Sequence, residues 1–411
     1  MTLCSLLYAL CERCLMKKSI LFLSNAYPDF DSSYRGNFIK EMAMRLQING
    51  YRIFVVTPKI YRGSPCFEEQ NGIKVYRFPF FAGGKLLIQY EKIPYLKMII
   101  YYLSGFFTTI YVLMKHGCHL IHVHWAIPTG LIGVFAGTLM KRPLIVTIHG
   151  SDLRMAINRS FLLKVFLYVC EKAYHIICVS DVQKKEIEQL GIESEKISVF
   201  PMCIDENFLE LGKNRKRGLD RRPFIILSNR NLLPIYNVSL LIRAMPIVLQ
   251  EEPNTKFFIA GDGPERDHLE KEAKKLNVNA SVQFLGRVPH EEMPNLLTQA
   301  DIYVSTSLYD GTSVSLLEAM ACGTFPIVTD ILSNQEWISD GENGFLIPIG
   351  DEAAFARKIV EATKNDKLLS EGRLRNHKLI EEKALWANNI RKVDKIYEKS
   401  LQGKKHGSPI C

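Results

Sequence analysis

The sequence predicts two consecutive α/β domains, each a doubly wound parallel sheet, and three observations carry that expectation. Short apolar runs rich in Ile, Val and Phe alternate with amphipathic helical stretches, the pattern of a parallel sheet covered on both faces. The alternation runs twice, broken once by a basic segment with little apolar content that reads as an exposed linker. A chain of 411 residues, 47% of them hydrophobic, has room for two cores of ordinary size. The expected divisions are an N-terminal extension over 1–18, a first Rossmann-like domain over 19–204, a linker over 205–222, a second Rossmann-like domain over 223–383, and a last helix with a tail over 384–411.

The first domain opens with the apolar run SILFLS, Ser19 to Ser24, then a loop holding Gly36 and a helical pattern from Phe38 to Ile48 that Asn49 and Gly50 close. Further strands are expected at Ile53–Val56, Ile73–Phe78, Leu120–His124, Leu144–Ile148, His175–Val179 and Ile197–Phe200. Lys213, Arg215, Lys216, Arg217, Arg221 and Arg222 crowd the linker. A second series follows at Phe224–Leu227, Lys256–Ala260, Ser281–Leu285, Ile302–Ser305, Pro326–Val328 and Phe345–Ile347, and Trp386 to Tyr397 is helical in pattern. The stretch Met98 to Met114 is 17 residues long, the lower limit for a membrane span, and leads straight into a strand. It reads as a buried or membrane-facing helix.

A formal charge of +9 asks for a negative partner, a nucleotide or an anionic lipid surface. No basic tract with interleaved aromatics marks a nucleic-acid groove. Ten cysteines scattered from Cys4 to Cys411 make no disulfide framework, which fits a reducing cytoplasm. Cys11 and Cys14 have CxxC spacing without a second pair and read as incidental. Lys17 and Lys18 follow the apolar start of the chain, where a signal peptide puts its charges first.

The most informative stretch is SLYDGTSVSLLEAMACG, Ser307 to Gly323. Asp310 and Gly311 close a loop, Thr312 and Ser313 are good helix caps, and Val314 to Ala321 reads as a helix with Val314, Leu317 and Ala321 on one face. Free amides at such a helix start hold anions. Glu318 stands five residues past Ser313, a displacement of about 7.5 Å along the axis, which suits a ribose attached to a bound phosphate. Its two acceptor oxygens can hold a vicinal diol. Ligands in open parallel sheets sit beyond the carboxyl ends of strands, where Arg230, Gly261, Asp262, Gly263, Gly286 and Asp310 all fall. A lone glycine there is usually a turn; together these residues describe a seat for a nucleoside diphosphate. Arg230, with a planar fork for two oxygens, is the phosphate clamp.

In the first domain, TIHGSD carries His149 and Asp152 beyond a strand, and His149 is open to two readings, a cap of the strand end or a polar contact to a ligand. Tyr34, Arg35, Gly36 and Asn37 follow the first strand, where the glycine marks a turn or a close backbone approach to a ligand. His122, His124 and Trp125 alternate along an expected strand edge; they look like zinc ligands by composition, yet no Cys or acidic third ligand has the spacing, so no metal is expected.

Two acids with seven residues between them, Asp310 and Glu318 in DGTSVSLLEAMACGTFPIV, resemble the nucleotide-sugar signature of GT-B glycosyltransferases, in particular the large retaining family 4 of the group 1 type. The resemblance runs from about Ser19 to Tyr397. It implies two Rossmann-like domains facing each other across a cleft, with the last helix crossing back to the first. It implies donor contacts at Gly36, Asn37, Arg230, Gly261, Gly263, Gly286, Arg287, Asp310, Gly311, Thr312, Ser313, Val314 and Glu318, with catalysis by His149, Arg230, Asp310 and Glu318. His124, Trp125 and Asp152 fall on the acceptor side. The implied partners are a nucleoside diphosphate sugar, as substrate rather than cofactor, and a glycan or polyprenyl-linked acceptor. The implied setting is bacterial surface polysaccharide assembly, in the cytoplasm or at the inner face of the membrane. Attack on the same face, with the leaving diphosphate taking the acceptor proton, replaces the carboxylate pair roughly 5 Å apart of a retaining glycosidase.

Two departures stand out. Relatives follow the arginine with a lysine on the diphosphate, and this chain has Tyr236 and Asn237 there; Asp310 stands where many relatives have Glu. A nucleotide-sugar epimerase on the same fold, or a transferase-like scaffold in a polysaccharide complex, are the alternative functions.

Overall fold

The computed structural model describes residues 18–30, 35–81, 83, 94–215 and 223–402, so Cys11, Cys14, Tyr34 and the run from Lys216 to Arg222 lie outside it. The chain divides into two units, Met1–Phe200 with Ile390–Cys411, and Pro201–Asn389.

The first unit is built from β1 (Ser19–Ser24), α1 (Asn37–Ile48), β2 (Arg52–Lys59), β3 (Phe67–Gln70), β4 (Ile73–Pro79), α2 (Tyr95–His116), β5 (Leu120–His124), α3 (Thr129–Met140), β6 (Leu144–Ile148), α4 (Ser151–Ile157), α5 (Ser160–Lys172), β7 (His175–Cys178), α6 (Asp181–Gln189) and β8 (Ile197–Val199). Its sheet runs β3-β4-β2-β1-β5-β6-β7-β8, parallel throughout except where β3 pairs antiparallel with β4. Helices cover both faces, so β1, β5 and β6 are buried along their whole length and are continuously apolar or nearly so. Strand order reverses between β1 and β5, and the loops after these two strands open the crevice where such sheets take ligands.

The sequence reading did not anticipate β3. Three of the four residues of FEEQ are polar, but Asn71-Gly72, both at positive φ, form the two-residue turn that pairs it with β4. Another correction concerns β5: it lies inside the sheet between β1 and β6, so His122 and His124 are core residues rather than edge residues.

The second unit holds α7 (Glu206–Lys213), β9 (Ile225–Ser228), α8 (Val238–Glu251), β10 (Lys256–Ala260), α9 (Arg266–Lys275), β11 (Val282–Gly286), α10 (Met293–Gln299), β12 (Ile302–Ser305), α11 (Val314–Ala321), β13 (Phe325–Thr329), α12 (Leu332–Gln335), β14 (Phe345–Ile347), α13 (Glu352–Thr363) and α14 (Asp366–Lys383). All six strands are parallel in the order β11-β10-β9-β12-β13-β14, and the order reverses between β9 and β12. Arg230 follows β9 and Asp310 follows β12, one on each side of that switch.

The expected linker over 205–222 is in part a packed helix. Asp205 caps α7 by accepting from the Asn207 amide at 2.9 Å, and Phe208 and Leu209 are buried. A Cβ on Gly212 would fall 1.9 Å from the Ala321 carbonyl oxygen, so the end of α7 lies against the end of α11. The cations clustered from Lys213 onward hid this short apolar face from a composition argument. The last helix, α15 (Trp386–Gln402), begins in the second unit and from Ile390 belongs to the first. There Tyr397 is fully buried and Asp394 accepts from the Tyr51 hydroxyl.

Candidate functional site

In the second unit the site is organised by α11. Ser313 caps it, accepting from the Leu316 amide at 3.3 Å, while its carbonyl takes the Leu316 and Leu317 amides. The amides of Val314 and Ser315, at the head of the helix, have no carbonyl partner within it and carry the positive end of its dipole. Thr312 and Ser313 are 9% and 5% exposed.

Arg230 reaches this cap from across the strand-order switch. Its Nη1 donates to Ser313 Oγ at 2.8 Å and its Nη2 to Asp310 Oδ2 at 2.5 Å, and the guanidinium lies over the Tyr236 ring with its carbon 4.1 Å from the centroid. Arg230 is 7% exposed. Burial disfavours its charge, but Asp310, together with Tyr303 and Tyr236, more than offsets this, so its pKa is raised. The fork expected to hold two phosphate oxygens is thus already engaged by the protein. Tyr236, in the place of the absent lysine, is the flat face on which the fork rests. Asp310 also turns its own loop, its Oδ1 accepting from the Gly311 amide at 2.9 Å.

Glu318 is 5% exposed, on the first turns of α11, and its Oε1 meets His290 Nε2 at 2.8 Å. The sequence reading stopped at Gly286 and Arg287 and missed His290; the signal, a histidine four residues beyond a strand-end glycine, was in GRVPH. Arg287 itself is exposed.

The glycines after β10 have a steric reason. A Cβ on Gly261 would lie 2.1 Å from the Arg230 carbonyl oxygen, and one on Gly263 would lie 2.3 Å from that of Leu232. They let the two loops touch, which the Leu232 amide seals by donating to the Asp262 carbonyl at 3.0 Å. These glycines therefore position Arg230. Gly286, at φ +69°, ends β11 beside the Arg266 guanidinium.

In the first unit three loops meet at the carboxyl ends of β1, β5 and β6. Gly36 stands at φ +74° with no room for a Cβ, since one would lie 2.5 Å from the Ala26 carbonyl oxygen. That turn starts α1 with Asn37 exposed and sets Phe38 against His149 and Trp125, ring centroids 5.0 and 5.9 Å away. Trp125 takes φ +69°, rare for a bulky residue, and is held there by its amide to the Thr147 carbonyl at 2.9 Å and its indole N–H to Ser151 Oγ at 3.1 Å. Its ring sits 4.4 Å from that of half-buried His149.

Asp152 is 1% exposed and faces inward. Its Oδ2 accepts from the Ala126 amide at 2.7 Å, and its Oδ1 accepts from the Gly150 and His149 amides at 3.1 and 3.2 Å. Burial raises its pKa to about 6 against those bonds. Rather than facing an acceptor, it ties the loop after β5 to the loop after β6.

Behind these loops His122, His124 and His149 form a stack. His122 meets the Tyr397 hydroxyl at 2.5 Å and the Thr147 hydroxyl at 2.7 Å, and His124 Nδ1 meets His149 Nε2 at 3.2 Å. Burial lowers the pKa of His122 and of His149 to about 3 and that of His124 well below its ordinary value, so all three are neutral. His124 Nε2 is buried without a partner. An orphaned N–H is rarer in buried sites than an orphaned acceptor, which assigns the proton of His124 to Nδ1, donating to His149 Nε2. His149 then carries its own proton on Nδ1 and offers a donor there. Among the described residues no group of three His, Cys, Asp or Glu side chains could hold a metal ion.

Comparison with known proteins accords with this architecture. Residues 36–208 match the model for Glycosyltransferase Family 4 and residues 212–382 that for Glycosyl transferases group 1. The chain is 26% identical over 300 residues to the Phosphatidylinositol N-acetylglucosaminyltransferase GPI3 subunit of Saccharomyces cerevisiae, covering 71% of this chain and 64% of that one, just under two thirds of its length. It is 28% identical over 275 residues to the UDP-Gal:alpha-D-GlcNAc-diphosphoundecaprenol alpha-1,3-galactosyltransferase of Escherichia coli, covering 63% of this chain and 70% of that one. Sucrose-phosphate synthase from Thermosynechococcus elongatus shares the fold with a TM-score of 0.77 at 17% identity, over 94% of this chain and 100% of its own. With one family model on each half of the chain and a GT-B neighbour aligned over nearly all of it, the protein belongs to the GT-B glycosyltransferases of group 1, family 4.

Proposed function

We propose that the enzyme transfers a hexose-type sugar, with retention, from a nucleoside diphosphate to a glycan or lipid-linked acceptor in bacterial surface polysaccharide assembly at the inner face of the membrane. The observation that carries the reading is the head of α11. Helix amides without an intrahelical partner, a capping Ser313, a buried Arg230 and a buried Glu318 stand in the order that diphosphate and ribose require. Arg230 and the amides of Thr312 to Val314 stabilise the charge developing on the leaving diphosphate, which accepts the proton of the attacking hydroxyl. His149, as an Nδ1–H donor, binds a sugar oxygen rather than removing a proton. The Escherichia coli relative is named for a UDP-sugar donor and a diphosphoundecaprenol acceptor, which supports the same classes here.

Thermal shift with a panel of nucleoside diphosphates tests the donor half. The cognate nucleotide at about 100 times its dissociation constant adds about 2.7 kcal/mol of stability, and no response to any of them would remove the reading. The engaged fork of Arg230 and the absent lysine favour one other reading, a transferase-like scaffold. Tight nucleotide binding with measurable sugar transfer counts against it.

A further inference from the structure

Helix α2 leaves an apolar face uncovered. Leu96, Ile99, Leu103, Phe107, Tyr111 and Met114 are between 51% and 80% exposed. At about 100° per residue they fall within an arc of about 120°. The opposite arc carries Tyr101, Gly105, Thr109 and Val112, buried against the sheet and its neighbours. Gly105 shows how closely: a Cβ there would fall 2.7 Å from Ile132 Cδ1 of α3. An ordinary surface helix turns charged residues outward; this one has no acid at all, and its lysines, Lys97 and Lys115, stand to one side of the stripe near its two ends. The adjoining α3 leaves Phe135 and Leu139 exposed, and α5, packed on α3, leaves Phe161 exposed.

Charge around this layer is mostly positive. From residue 94 to residue 172 eight lysines and arginines face two acids, Glu171 and the buried Asp152. Lys115, Lys141, Lys164 and Lys172 are exposed among them.

We infer that the outer surface of α2, α3 and α5 docks on the anionic leaflet of a lipid bilayer, with α2 lying in the interface plane. Although α2 has 22 residues and the composition of a span, its inner face is part of the core of the first unit and cannot be given to lipid without unfolding it. An apolar stripe beside exposed lysines is the composition of an interfacial helix. A second copy of the chain is the poorer occupant, because a symmetric pair sets the same basic fringe against itself. The inference extends the reading of a membrane-bound acceptor, but it is tested with no nucleotide sugar present. A negative result therefore leaves transfer to a soluble acceptor standing, and a failed transferase assay leaves the vesicle result standing.

The full chain is co-sedimented with phosphatidylcholine vesicles containing phosphatidylglycerol and with pure phosphatidylcholine vesicles. Binding to the first and not the second is expected, falling away at about 1 M salt, where the screening length is about 3 Å. Lys141→Gln with Lys164→Gln weakens it by about fivefold for each charge removed. Leu103→Asp with Phe107→Asp, folded by circular dichroism, loses at least about tenfold. Absence of binding to anionic vesicles at low salt overturns the inference, as does unchanged binding by both double variants. So does a wild-type dimer in the absence of lipid that Leu103→Asp with Phe107→Asp turns into a monomer.

Discussion

Replacing Arg230 by lysine separates a clamp from a bystander. The guanidinium holds Ser313 at 2.8 Å and Asp310 at 2.5 Å and rests on the Tyr236 ring at 4.1 Å. A lysine ammonium keeps the ion pair with Asp310 at best and loses both the Ser313 bond and the stacked face. A hydrogen bond from a charged donor is worth about 1.5–3 kcal/mol and the cation–π contact about 0.5–2 kcal/mol, so Arg230→Lys costs roughly 2–5 kcal/mol of local order. For a unit of this size that corresponds to a fall of roughly 4–20 °C in the unfolding transition. Donor turnover falls by more than about tenfold, at least about 1.4 kcal/mol in the transition state. Tyr236→Lys in the wild-type background is also harmful, since it removes the platform and sets two cations together. In the Arg230→Lys background no planar group is left to support, and the second lysine restores a cation near the leaving group, recovering part of the rate. Thermal unfolding and steady-state kinetics on both single variants and the double variant read this coupling, expected to exceed about 0.5 kcal/mol. An Arg230→Lys enzyme with wild-type rate and stability refutes the reasoning and moves attention to Arg287.

Glu318→Ala lowers nucleotide affinity by roughly 1.5–3 kcal/mol, with Glu318→Gln milder, while the unfolding temperature changes little because His290, 61% exposed, turns to water; wild-type affinity by calorimetry in the alanine variant removes the ribose assignment. The histidine stack makes the first unit acid-sensitive. With native pKa values lowered to about 3, His122 and His149 contribute stability that is complete above the unfolded value of 6.5 and is lost as pH falls toward 3, at about 1.4 kcal/mol per pH unit for each proton. His124 acts in the same sense. Asp152, raised to about 6, opposes them, since its native carboxyl holds a proton that the unfolded chain releases between its ordinary value of 3.8 and about 6. Denaturant titrations from about pH 7 to about pH 5 should show falling stability, less steeply in His124→Leu, and nitrogen NMR at neutral pH should place the His149 proton on Nδ1. Flat stability, or a proton on His149 Nε2, contradicts the assignment.

What the sequence made legible follows the range of the forces involved. Buried parallel strands announce themselves as continuous apolar runs, and β1, β5, β6, β10, β12 and β14 sit where those runs do. The cap and helix of α11 are local chemistry, readable from Thr312, Ser313 and the residues just after them. What was not legible is tertiary. Arg230 and Asp310 pair across 80 residues, and Glu318 meets His290 across 28, so neither side chain's occupancy could be read from its own neighbourhood. Asp152 looked like a ligand contact because its backbone partners at Ala126, His149 and Gly150 come from the fold. Helix α2 carries apolar residues on both its buried and its exposed face, so its pattern could not say which of them the sheet takes.

These pairings also change what the missing lysine means. In the second unit the charged side chains nearest α11 are matched to one another, Arg230 to Asp310 and Glu318 to His290. The groups left without a partner inside the helix are the amides at its head, which are neutral and fixed by the Ser313 cap. On the proposed reading a diphosphate would be met by oriented N–H groups and a helix dipole, and would compete with Asp310 for Arg230. A seat of that kind has less need of a second cation. On the proposed reading Asp310 would also tune how far the arginine is available, since the carboxylate that holds the fork competes with a phosphate oxygen for it.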